Sequence, residues 1–302
     1  MTKMTPVGLD RYRSIISEWD EFLAACDRPL PADLRTNTLR IRPEDLRVRF
    51  AHCGIALEPF AWEPTFFRTA QPVGATLEHW AGLFYLQEIT QSIPVAALDP
   101  QPGELVLDLC AAPGGKTTDI AARMQNRGRL VANEPNGRRQ QALLANVNRV
   151  GAWNVAISEY RGQDFPLGGG FDRVLVDAPC SAEGTLRKES SLRSGATPSA
   201  IRRLARIQEM LVLRGFDLLR VGGRLVYSTC TFAPEENEAI VAHLLERRRA
   251  RVVRLEPPFP YALGLTSWNG ATYPEEVAGC ARIYPHHLDS GGGFVARIER
   301  LA

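Results

Sequence analysis

Apolar and polar positions alternate in a regular way along most of the chain after residue 100. Apolar runs of the length of buried strands lie at 105–109, 130–133, 155–158, 174–176, 225–228 and 294–298. Helical patterns separate them at 116–123, at 138–150, from Thr197-Pro198 to Gly222-Gly223, and from Glu235 and Glu236 to Arg247–Arg249. Because neighbouring parallel strands need a crossover between them, this alternation predicts an α/β fold with a mostly parallel, doubly wound sheet.

A smaller α+β pattern precedes this alternation. Apolar residues recur at helical spacing from Leu9 to Ala25, and Arg35 to Ile41 alternates like a strand. A second helix is predicted from Pro43 to about Cys53, short strands at 55–60 and 66–69, and a third helix from Leu77 to Leu98. We therefore expect an N-terminal α+β module over residues 1–75, a helix with a ferredoxin- or RRM-like piece, and a larger domain over 76–302.

The first strand, turn and helix of the larger domain have the pattern of a nucleotide-binding site. The apolar run at 105–109 leads into the turn Ala111-Ala112-Pro113-Gly114-Gly115, and Lys116 enters the helix. Glycines let a ligand approach the backbone, and the helix N-terminus offers free N–H groups. The dinucleotide pattern G-x-G-x-x-G is absent. Either an adenosine-type ligand with an anionic tail or a purely structural turn is consistent with this spacing.

Glu134 supports the ligand interpretation. It lies 20 residues beyond Gly114, directly after the predicted strand at 130–133. An acidic side chain at that distance is placed to accept hydrogen bonds from ribose hydroxyls.

The composition excludes several classes of protein. The six cysteines are widely spread with no C-x-x-C pair, so neither a disulfide framework nor a zinc or other metal site is predicted. A net charge of +2 favours no nucleic-acid class by itself. No apolar run reaches the roughly 18 residues of a membrane span, and no signal-peptide pattern is present, so we expect a cytosolic protein.

Two further strand ends carry reactive groups. Asp177-Ala178-Pro179-Cys180-Ser181 follows one predicted strand, and Thr229-Cys230-Thr231 follows the next. Because the carboxyl ends of parallel strands meet at one edge of the sheet, Cys180 and Cys230 can face the same crevice, where a thiolate serves as a nucleophile. A single buried cysteine is usually only a small apolar residue, but two at these positions favour a function.

These segments carry a family resemblance. D-L-C-A-A-P-G-G-K-T (108–117), D-A-P-C-S-A-E-G (177–184) and S-T-C-T with the following E-E-N-E (228–238) stand in the order seen in the Sun/Fmu-type (RsmB/RsmF-like) RNA cytosine-5 methyltransferases. The segments at 35–39 (R-x-N-x-L), 82–88, 282–286 and 293–296 also resemble that family. The ordered set is highly specific and runs from about residue 30 to the C-terminus.

The resemblance implies that residues 76–302 form a Rossmann-like methyltransferase domain that binds S-adenosyl-L-methionine. The turn at 110–116 would wrap the methionine end, Glu134 would hold the ribose, and Asp164 would face the adenine amine unless it is an ordinary loop acid. The residues assigned to cofactor binding are Cys110, Ala111, Ala112, Pro113, Gly114, Gly115, Lys116, Glu134, Arg139, Asp164 and Asp177.

The resemblance also gives the two cysteines different roles. Carbon 5 of cytosine is a poor nucleophile, and attack of a thiolate on carbon 6 activates it, helped by an acid such as Asp177 at ring nitrogen N3. By analogy with the family, Cys230 is the nucleophile and Cys180 assists release. DNA cytosine-5 methyltransferases attack from the Pro-Cys position instead. An RNA methyltransferase is therefore favoured over a DNA methyltransferase or a non-catalytic RNA-binding or ribosome-assembly factor on the same fold.

The resemblance leaves the RNA substrate open between ribosomal and transfer RNA. Arg187 and Lys188 are expected to bind phosphates, with solvated loop charges as the alternative, and Arg35 and Asn37 (with Arg40) to extend the RNA track, with packing against the catalytic domain as the alternative. Some relatives carry a further C-terminal RNA-binding domain. Since this sequence stops after the family's final strand, we expect RNA recognition through the N-terminal module, the catalytic face or the structure of the RNA, by a monomer.

Overall fold

The computed structural model describes residues 8–168 and 170–302. Its N-terminal unit is a small antiparallel sheet with helices, in the spatial order β2-β3-β1-β4. Its helices and strands are α1 (Trp19–Asp27), β1 (Ala32–Thr36), α2 (Pro43–His52), β2 (Glu58–Phe60), β3 (Glu63–Thr69), α3 (Leu77–Trp80) and β4 (Phe84–Leu86).

The larger domain begins with α4 and is built on a nine-stranded sheet. The first part of the domain, which contains the parallel strands, comprises α4 (Ile93–Leu98), β5 (Leu105–Asp108), α5 (Gly115–Arg123), β6 (Arg129–Asn133), α6 (Gly137–Val150), β7 (Val155–Ser158), β8 (Phe171–Asp177), α7 (Pro198–Asp217) and β9 (Leu219–Thr229). The rest of the domain is α8 (Glu238–Arg247), β10 (Ala250–Val252), β11 (Ala262–Leu263), β12 (Ser267–Trp268), β13 (Ala271–Thr272), β14 (Ala281–Ile283), α9 (Pro285–Leu288) and β15 (Gly293–Arg300). Strands β12 and β13 form a separate two-stranded sheet.

The order of the strands creates the crevice for a ligand. Strands β7, β6, β5, β8 and β9 lie side by side and are parallel, and β15, β14 and β11 continue the sheet in antiparallel fashion. The chain proceeds outward from β5 in one direction to β7 and then returns to β8 on the other side of β5. This reversal is a topological switch point, where ligands bind at the carboxyl ends of the strands. The prediction of a mostly parallel, doubly wound sheet is confirmed.

The two faces of the sheet are covered by different helices, because side chains alternate along a strand. Leu107 and Val174 point to the face covered by α7 and α8 and join one buried apolar cluster. Val106 and Leu175, their neighbours in sequence, join a second cluster on the face covered by α4, α5 and α6. These fully buried strands explain the continuous apolar runs in the sequence.

Two predicted helices are not continuous. The stretch from Leu9 to Ala25 contains a short 3₁₀ turn at Asp10–Tyr12, and α1 begins only at Trp19. Its apolar residues are nevertheless buried; Tyr12 and Phe22 both pack edge-on against Phe232 of the larger domain. Their spacing therefore reflects burial at this interface rather than one helix.

The predicted helix from Leu77 to Leu98 is divided by a strand. Gly82 has a φ of 70°, and a Cβ added there would lie 2.0 Å from the Arg149 carbonyl oxygen, so only glycine fits. The chain then pairs with β1 as strand β4, and a new helix, α4, has Pro94 in its first turn. The small sheet consequently extends to Leu86, beyond the predicted boundary at residue 75.

A search of the described helices for a bilayer crossing gave none that is both long enough and apolar enough.

Candidate active site

Two adjoining cavities open at the carboxyl ends of β5, β8 and β9. The larger has a volume of about 500 Å³ and the smaller of about 280 Å³. Both are lined by Cys110, Ala112, Asp177 and Cys230. The residues predicted to matter after three different strands therefore lie together around these two cavities.

The glycine turn forms the floor of the smaller cavity. Gly114 has a φ of 105°, a left-handed conformation that favours glycine, and α5 begins at the next residue. A Cβ on Gly114 would also lie 3.0 Å from the Leu143 side chain. The predicted residues that line this cavity are Cys110, Ala111, Ala112, Pro113, Gly115, Lys116 and Asp177.

Glu134 and Arg139 lie together in the larger cavity. The Glu134 side chain is 2 % exposed; one carboxylate oxygen accepts the Asn136 N–H at 2.9 Å, and the other is 3.1 Å from an Arg139 nitrogen. Arg139 also donates to the Ala112 carbonyl at 2.8 Å. Arg139 thus connects the acid after β6 to the glycine turn after β5, and Glu134 is held in one orientation.

Asp164 is exposed in the 3₁₀ turn Gly162–Asp164 and does not line either cavity. Its neighbours Gly162 and Gln163 do line the larger cavity. The adenine contact assigned to Asp164 therefore stays a prediction. The apolar wall opposite Glu134 comes from Ile207 and Leu211 of α7, which the sequence analysis did not single out because no local motif marks them.

Asp177 and Lys116 form an ion pair between the cavities. Lys116 Nζ lies 2.7 Å from one Asp177 oxygen, and the Ser228 hydroxyl donates to the other at 2.7 Å. Burial alone would lower the pKa of Lys116, but the adjacent Asp177 carboxylate outweighs burial and the pKa is raised. Below them, burial raises the pKa of Asp108 to about 7, even though the Thr117 hydroxyl donates to it. Lys116 is therefore a cation that holds Asp177 in place.

The two cysteines of the site are in direct contact. Cys180 Sγ and Cys230 Sγ are 3.2 Å apart, and the Cys230 N–H donates to Cys180 Sγ at 3.3 Å. A hydrogen bond from the Cys180 thiol lowers the pKa of Cys230. The same hydrogen bond, together with burial, raises the pKa of Cys180. These opposite pKa shifts make Cys230 the more acidic thiol of the pair.

The loop that carries Cys180 is braced by a buried carboxylate. Glu236 accepts the Ser181 N–H at 3.0 Å and a Gln208 amide N–H at 2.8 Å. Gln208 also donates to the Pro179 carbonyl at 2.8 Å. The sequence analysis placed Glu236 in the first turn of a helix, but α8 begins only at Glu238. Glu236 points instead into the Cys180 loop, and the E-E-N-E motif was the signal for this role.

The segment around Cys230 has its own supports. The Asn237 amide donates to the Thr231 carbonyl at 3.0 Å and accepts the Thr229 hydroxyl at 2.6 Å. The Gly184 N–H donates to the Cys230 carbonyl at 2.8 Å, and a Cβ on Gly184 would lie 2.2 Å from the Gly292 carbonyl oxygen. Backbone contacts therefore fix the position of Cys230 from both sides.

The structure corrects the prediction that Arg35 contacts RNA. Arg35 is 3 % exposed, and its guanidinium donates to the Gln87 amide oxygen at 3.0 Å and the Thr118 hydroxyl at 2.8 Å. It also lies 3.3 Å from Asp119. These contacts join β1 to helix α5, so the alternative of packing against the catalytic domain describes Arg35.

Asn37 and Arg187 need the same correction. Asn37 is 4 % exposed and donates to the carbonyls of Gly82 and Val150 at 2.7 and 2.8 Å. The Arg187 side chain is fully buried; it lies 2.9 Å from Asp289 and donates to the carbonyls of Arg28, Pro29 and Ser290. Neither side chain is accessible to RNA.

Lys188 is placed differently from Arg187. Its side chain is 54 % exposed, pairs with the buried Glu88 carboxylate and lines the smaller cavity beside Cys230. Lys188 is therefore available to a nucleotide entering this cavity.

Within the described residues, possible metal ligands lie close together only at Glu18, His286 and His287. None of these three residues lines either cavity. His287 Nδ1 accepts the Tyr284 N–H at 3.2 Å and so caps α9. This cluster belongs to the interface between α1 and α9.

The contact between the cysteines predicts a pH effect. The thiolate is the reactive form of cysteine, so iodoacetamide should modify wild-type Cys230 at lower pH than it modifies Cys230 in a Cys180→Ala variant, which lacks the hydrogen bond that lowers the Cys230 pKa. Mass spectrometry of the Cys230 peptide across a pH series measures this. The variant Cys53→Ala, at an exposed cysteine, serves as the control. Identical profiles for wild type and Cys180→Ala would contradict the assignment.

Comparisons with known proteins identify the family. The family model of the 16S rRNA methyltransferase RsmB/F matches residues 95–299, and that of the N-terminal domain of 16S rRNA methyltransferase RsmF matches residues 9–89. Among solved structures, a methyltransferase homolog protein from Pyrococcus horikoshii has a TM-score of 0.85 and 33% identity, over 97% of this chain and 94% of that one.

Curated relatives agree with these matches. The ribosomal RNA small subunit methyltransferase F of Vibrio atlanticus is 44% identical over 93% of this chain, and the Homo sapiens 28S rRNA (cytosine(4447)-C(5))-methyltransferase is 38% identical over 95% of it. This chain spans only 60% and 36% of their respective lengths. Because the first family match covers more than half of the chain and includes the glycine turn and both cysteine loops, the chain belongs to the RsmB/F family of 16S rRNA methyltransferases.

Proposed function

We propose that this chain transfers a methyl group from S-adenosyl-L-methionine to carbon 5 of a cytosine in ribosomal RNA. The observation that carries the proposal is the pair of cysteines 3.2 Å apart beside Asp177, where the two cavities meet. The relatives supply the substrate class, because their names specify ribosomal RNA and, for the human protein, carbon 5 of cytosine. Ribosomal RNA is therefore preferred over transfer RNA.

The larger cavity fits S-adenosyl-L-methionine. Its volume of about 500 Å³ lies in the range of small-molecule sites. Glu134 presents a buried carboxylate for ribose hydroxyls, and Ile207 and Leu211 give an apolar wall for a flat base. Cys110 and Ala112 line both cavities, so the glycine turn and Lys116 can meet the carboxylate of the cofactor where the larger cavity joins the smaller one. When bound, this cofactor supplies an electrophilic methyl group.

The smaller cavity is assigned to the target cytosine, flipped out of its strand. It contains Cys230, Asp177, Lys116 and Lys188. The Cys230 thiolate adds to carbon 6, and its electron pair forms the new C–S bond while carbon 5 becomes nucleophilic. As electron density moves from the C5=C6 bond toward ring nitrogen N3, N3 takes up a proton from solvent, and the Asp177 carboxylate, held by Lys116 and Ser228, accepts a hydrogen bond from this N3–H and stabilises the adduct.

Release of the methylated base from Cys230 reverses the direction of electron flow. Carbon 5 would take the methyl group as the methyl–sulfur bond of the sulfonium breaks and leaves a neutral thioether. Loss of the carbon-5 proton to solvent and cleavage of the bond between carbon 6 and Cys230 then restore the aromatic ring and return the electron pair to Cys230. Cys180 is in contact with Cys230 and donates a hydrogen bond to its sulfur, so it stabilises the departing thiolate. This is the release role that the family resemblance gives to Cys180.

The Cys180→Ala variant tests the proposal. Without Cys180, the protein–RNA adduct should accumulate and migrate as a slow band on a denaturing gel, because attack through Cys230 is retained and release is slowed. Both proteins are incubated with radiolabelled S-adenosyl-L-methionine and ribosomal RNA from cells that lack the gene, and products are mapped by bisulfite sequencing. Wild type should give labelled 5-methylcytosine and little adduct.

Transfer RNA and duplex DNA serve as comparison acceptors, and Cys53→Ala as the matched cysteine control. Label in duplex DNA alone would indicate a DNA methyltransferase. Cofactor binding without label in any acceptor would argue against the activity, and a Cys180→Ala variant with normal turnover and no adduct would remove the release role.

A further inference from the structure

Two tryptophans are exposed at the seam, the surface where the N-terminal unit meets the larger domain. Trp80 at the end of α3 is 80 % exposed, and Trp153 after α6 is 86 % exposed. These are the largest exposed fractions among the big apolar side chains of the described residues. Tryptophan is highly buried on average, so two exposed tryptophans at one seam indicate a binding surface.

An arginine connects Trp80 to the wall of the smaller cavity. The Arg149 guanidinium lies 5.4 Å from the centre of the Tyr85 ring, and Tyr85 lines that cavity. Arg149 also donates to the carbonyls of His79 and Phe84 at 3.0 and 3.1 Å. Since His79 directly precedes Trp80, Arg149 joins the backbone next to Trp80 to the ring that lines the cavity.

A second arginine continues this path to Trp153. A Cβ placed on Gly151 would lie 3.2 Å from an Arg40 guanidinium nitrogen and 3.5 Å from the Trp153 indole nitrogen, so the two side chains flank Gly151. Asn37 bridges the carbonyls of Gly82 and Val150 and thereby holds the Trp80 and Trp153 segments close together. We name Tyr85, Arg149, Trp80, Arg40 and Trp153 the aromatic–arginine row.

The charge of this row is uncompensated. In the part of the chain that the structure describes, neither Arg40 nor Arg149 forms an ion pair with a carboxylate, although most other arginines with measured contacts do. Their hydrogen-bond partners are backbone carbonyls and, for Arg149, the Asn146 amide oxygen at 3.2 Å; these groups are uncharged and leave the guanidinium charge in place. The row therefore presents positive charge and flat apolar rings together.

Alternating rings and guanidinium groups match single-stranded nucleic acid, whose bases stack on aromatic side chains and whose phosphates pair with arginine. We propose that the aromatic–arginine row binds the RNA strand that flanks the target cytosine. This inference rests on the proposed function and names the RNA path that the buried Arg35, Asn37 and Arg187 do not provide.

RNA-binding measurements on the full chain test the row. The probe is a fluorescein-labelled single-stranded RNA with one cytosine, long enough to reach from the cavity to Trp153. Trp80→Ala and Trp153→Ala should each raise the dissociation constant about 10-fold, the size expected for loss of one stacked base. Arg40→Gln should also weaken binding and reduce its salt dependence.

Two controls separate the row from the catalytic cavity. Leu167→Ala and Arg247→Gln remove an exposed apolar side chain and an exposed arginine elsewhere, and both should bind the long RNA normally. A short RNA limited to the target nucleotide and its two neighbours should be bound equally by wild type and the tryptophan variants. Cofactor binding should not change in any of them.

The outcomes distinguish this inference from the proposed function. If wild type methylates RNA but the tryptophan variants bind the long probe normally, the row is not the RNA path and only this inference fails. If sedimentation shows that wild type self-associates and the Trp80→Ala/Trp153→Ala variant is monomeric with unchanged RNA affinity, the row is a protein contact. If wild type methylates no RNA but the variants lose RNA binding, the row stands and the proposed function fails.

Discussion

Replacing Cys230 with alanine should abolish methyl transfer and leave cofactor binding close to that of wild type. The thiolate that attacks carbon 6 is lost, and removal of a covalent nucleophile typically costs at least about 10³-fold in rate. Cofactor binding should persist because Glu134, Arg139 and the glycine turn are untouched. Single-turnover methyl transfer measures the rate, and equilibrium dialysis with radiolabelled S-adenosyl-L-methionine measures binding.

The cysteine variants together identify the nucleophile. Cys53→Ala, at an exposed cysteine, should behave as wild type in both measurements. Cys230→Ala should form no covalent RNA adduct, whereas Cys180→Ala should accumulate it. If instead Cys230→Ala forms the adduct and Cys180→Ala does not, the nucleophile is at the Pro-Cys position, as in DNA cytosine-5 methyltransferases. Full activity in Cys230→Ala would exclude the covalent mechanism as written.

Replacing Arg282 with methionine should lower the free energy of unfolding by about 3–5 kcal/mol, the usual cost of removing one partner from a buried ion pair. Arg282 is 1 % exposed and Glu238 is fully buried. Their two hydrogen bonds measure 2.6 and 2.7 Å, and Arg282 also donates to the Phe232 carbonyl. The variant leaves the Glu238 carboxylate uncompensated beside the segment that carries Cys230. Urea denaturation followed by circular dichroism measures the change.

A double variant and a surface pair provide the controls. Arg282→Met/Glu238→Leu should recover much of the lost stability, because an apolar pair of similar volume replaces the buried charges without leaving one unpaired. Arg247→Met should change stability by at most about 1 kcal/mol, since its partner Glu246 is exposed. Equal effects of Arg282→Met and Arg247→Met would show that the buried pair contributes little to stability.

Local chemistry made the cavities around the glycine turn predictable. The turn at 111–115 needs glycine for its left-handed backbone at Gly114 and small residues for close approach of a ligand. Glu134 follows the next strand, and the sheet topology places these two strand ends side by side. Spacing along the chain therefore specified proximity in space, because β5 and β6 are consecutive in the chain and also neighbours in the sheet.

The reactive cysteines were predictable for a related reason. Cys180 and Cys230 each follow a strand of one parallel sheet, and β8 and β9 are paired. Strand ends that are paired bring the residues after them together, but the 3.2 Å sulfur contact also depends on the loop positions that the Glu236, Asn237 and Gly184 contacts fix. The hydrogen bond between the two thiols lowers the pKa of Cys230 and raises that of Cys180.

By itself, then, the sequence determined the α/β sheet, the glycine turn, the acid at Glu134 and the proximity of Cys180 and Cys230. Strand order and local turn geometry follow from periodicity and spacing along the chain. Only the tertiary structure decided whether the long polar side chains are buried or exposed. Arg35 and Arg187 carry guanidinium groups, which suit phosphates, but both are buried against backbone and acids from distant segments. Arg40, in contrast, remains exposed beside Trp153. An arginine's partner is fixed by which surfaces pack together, and no local pattern encodes that packing.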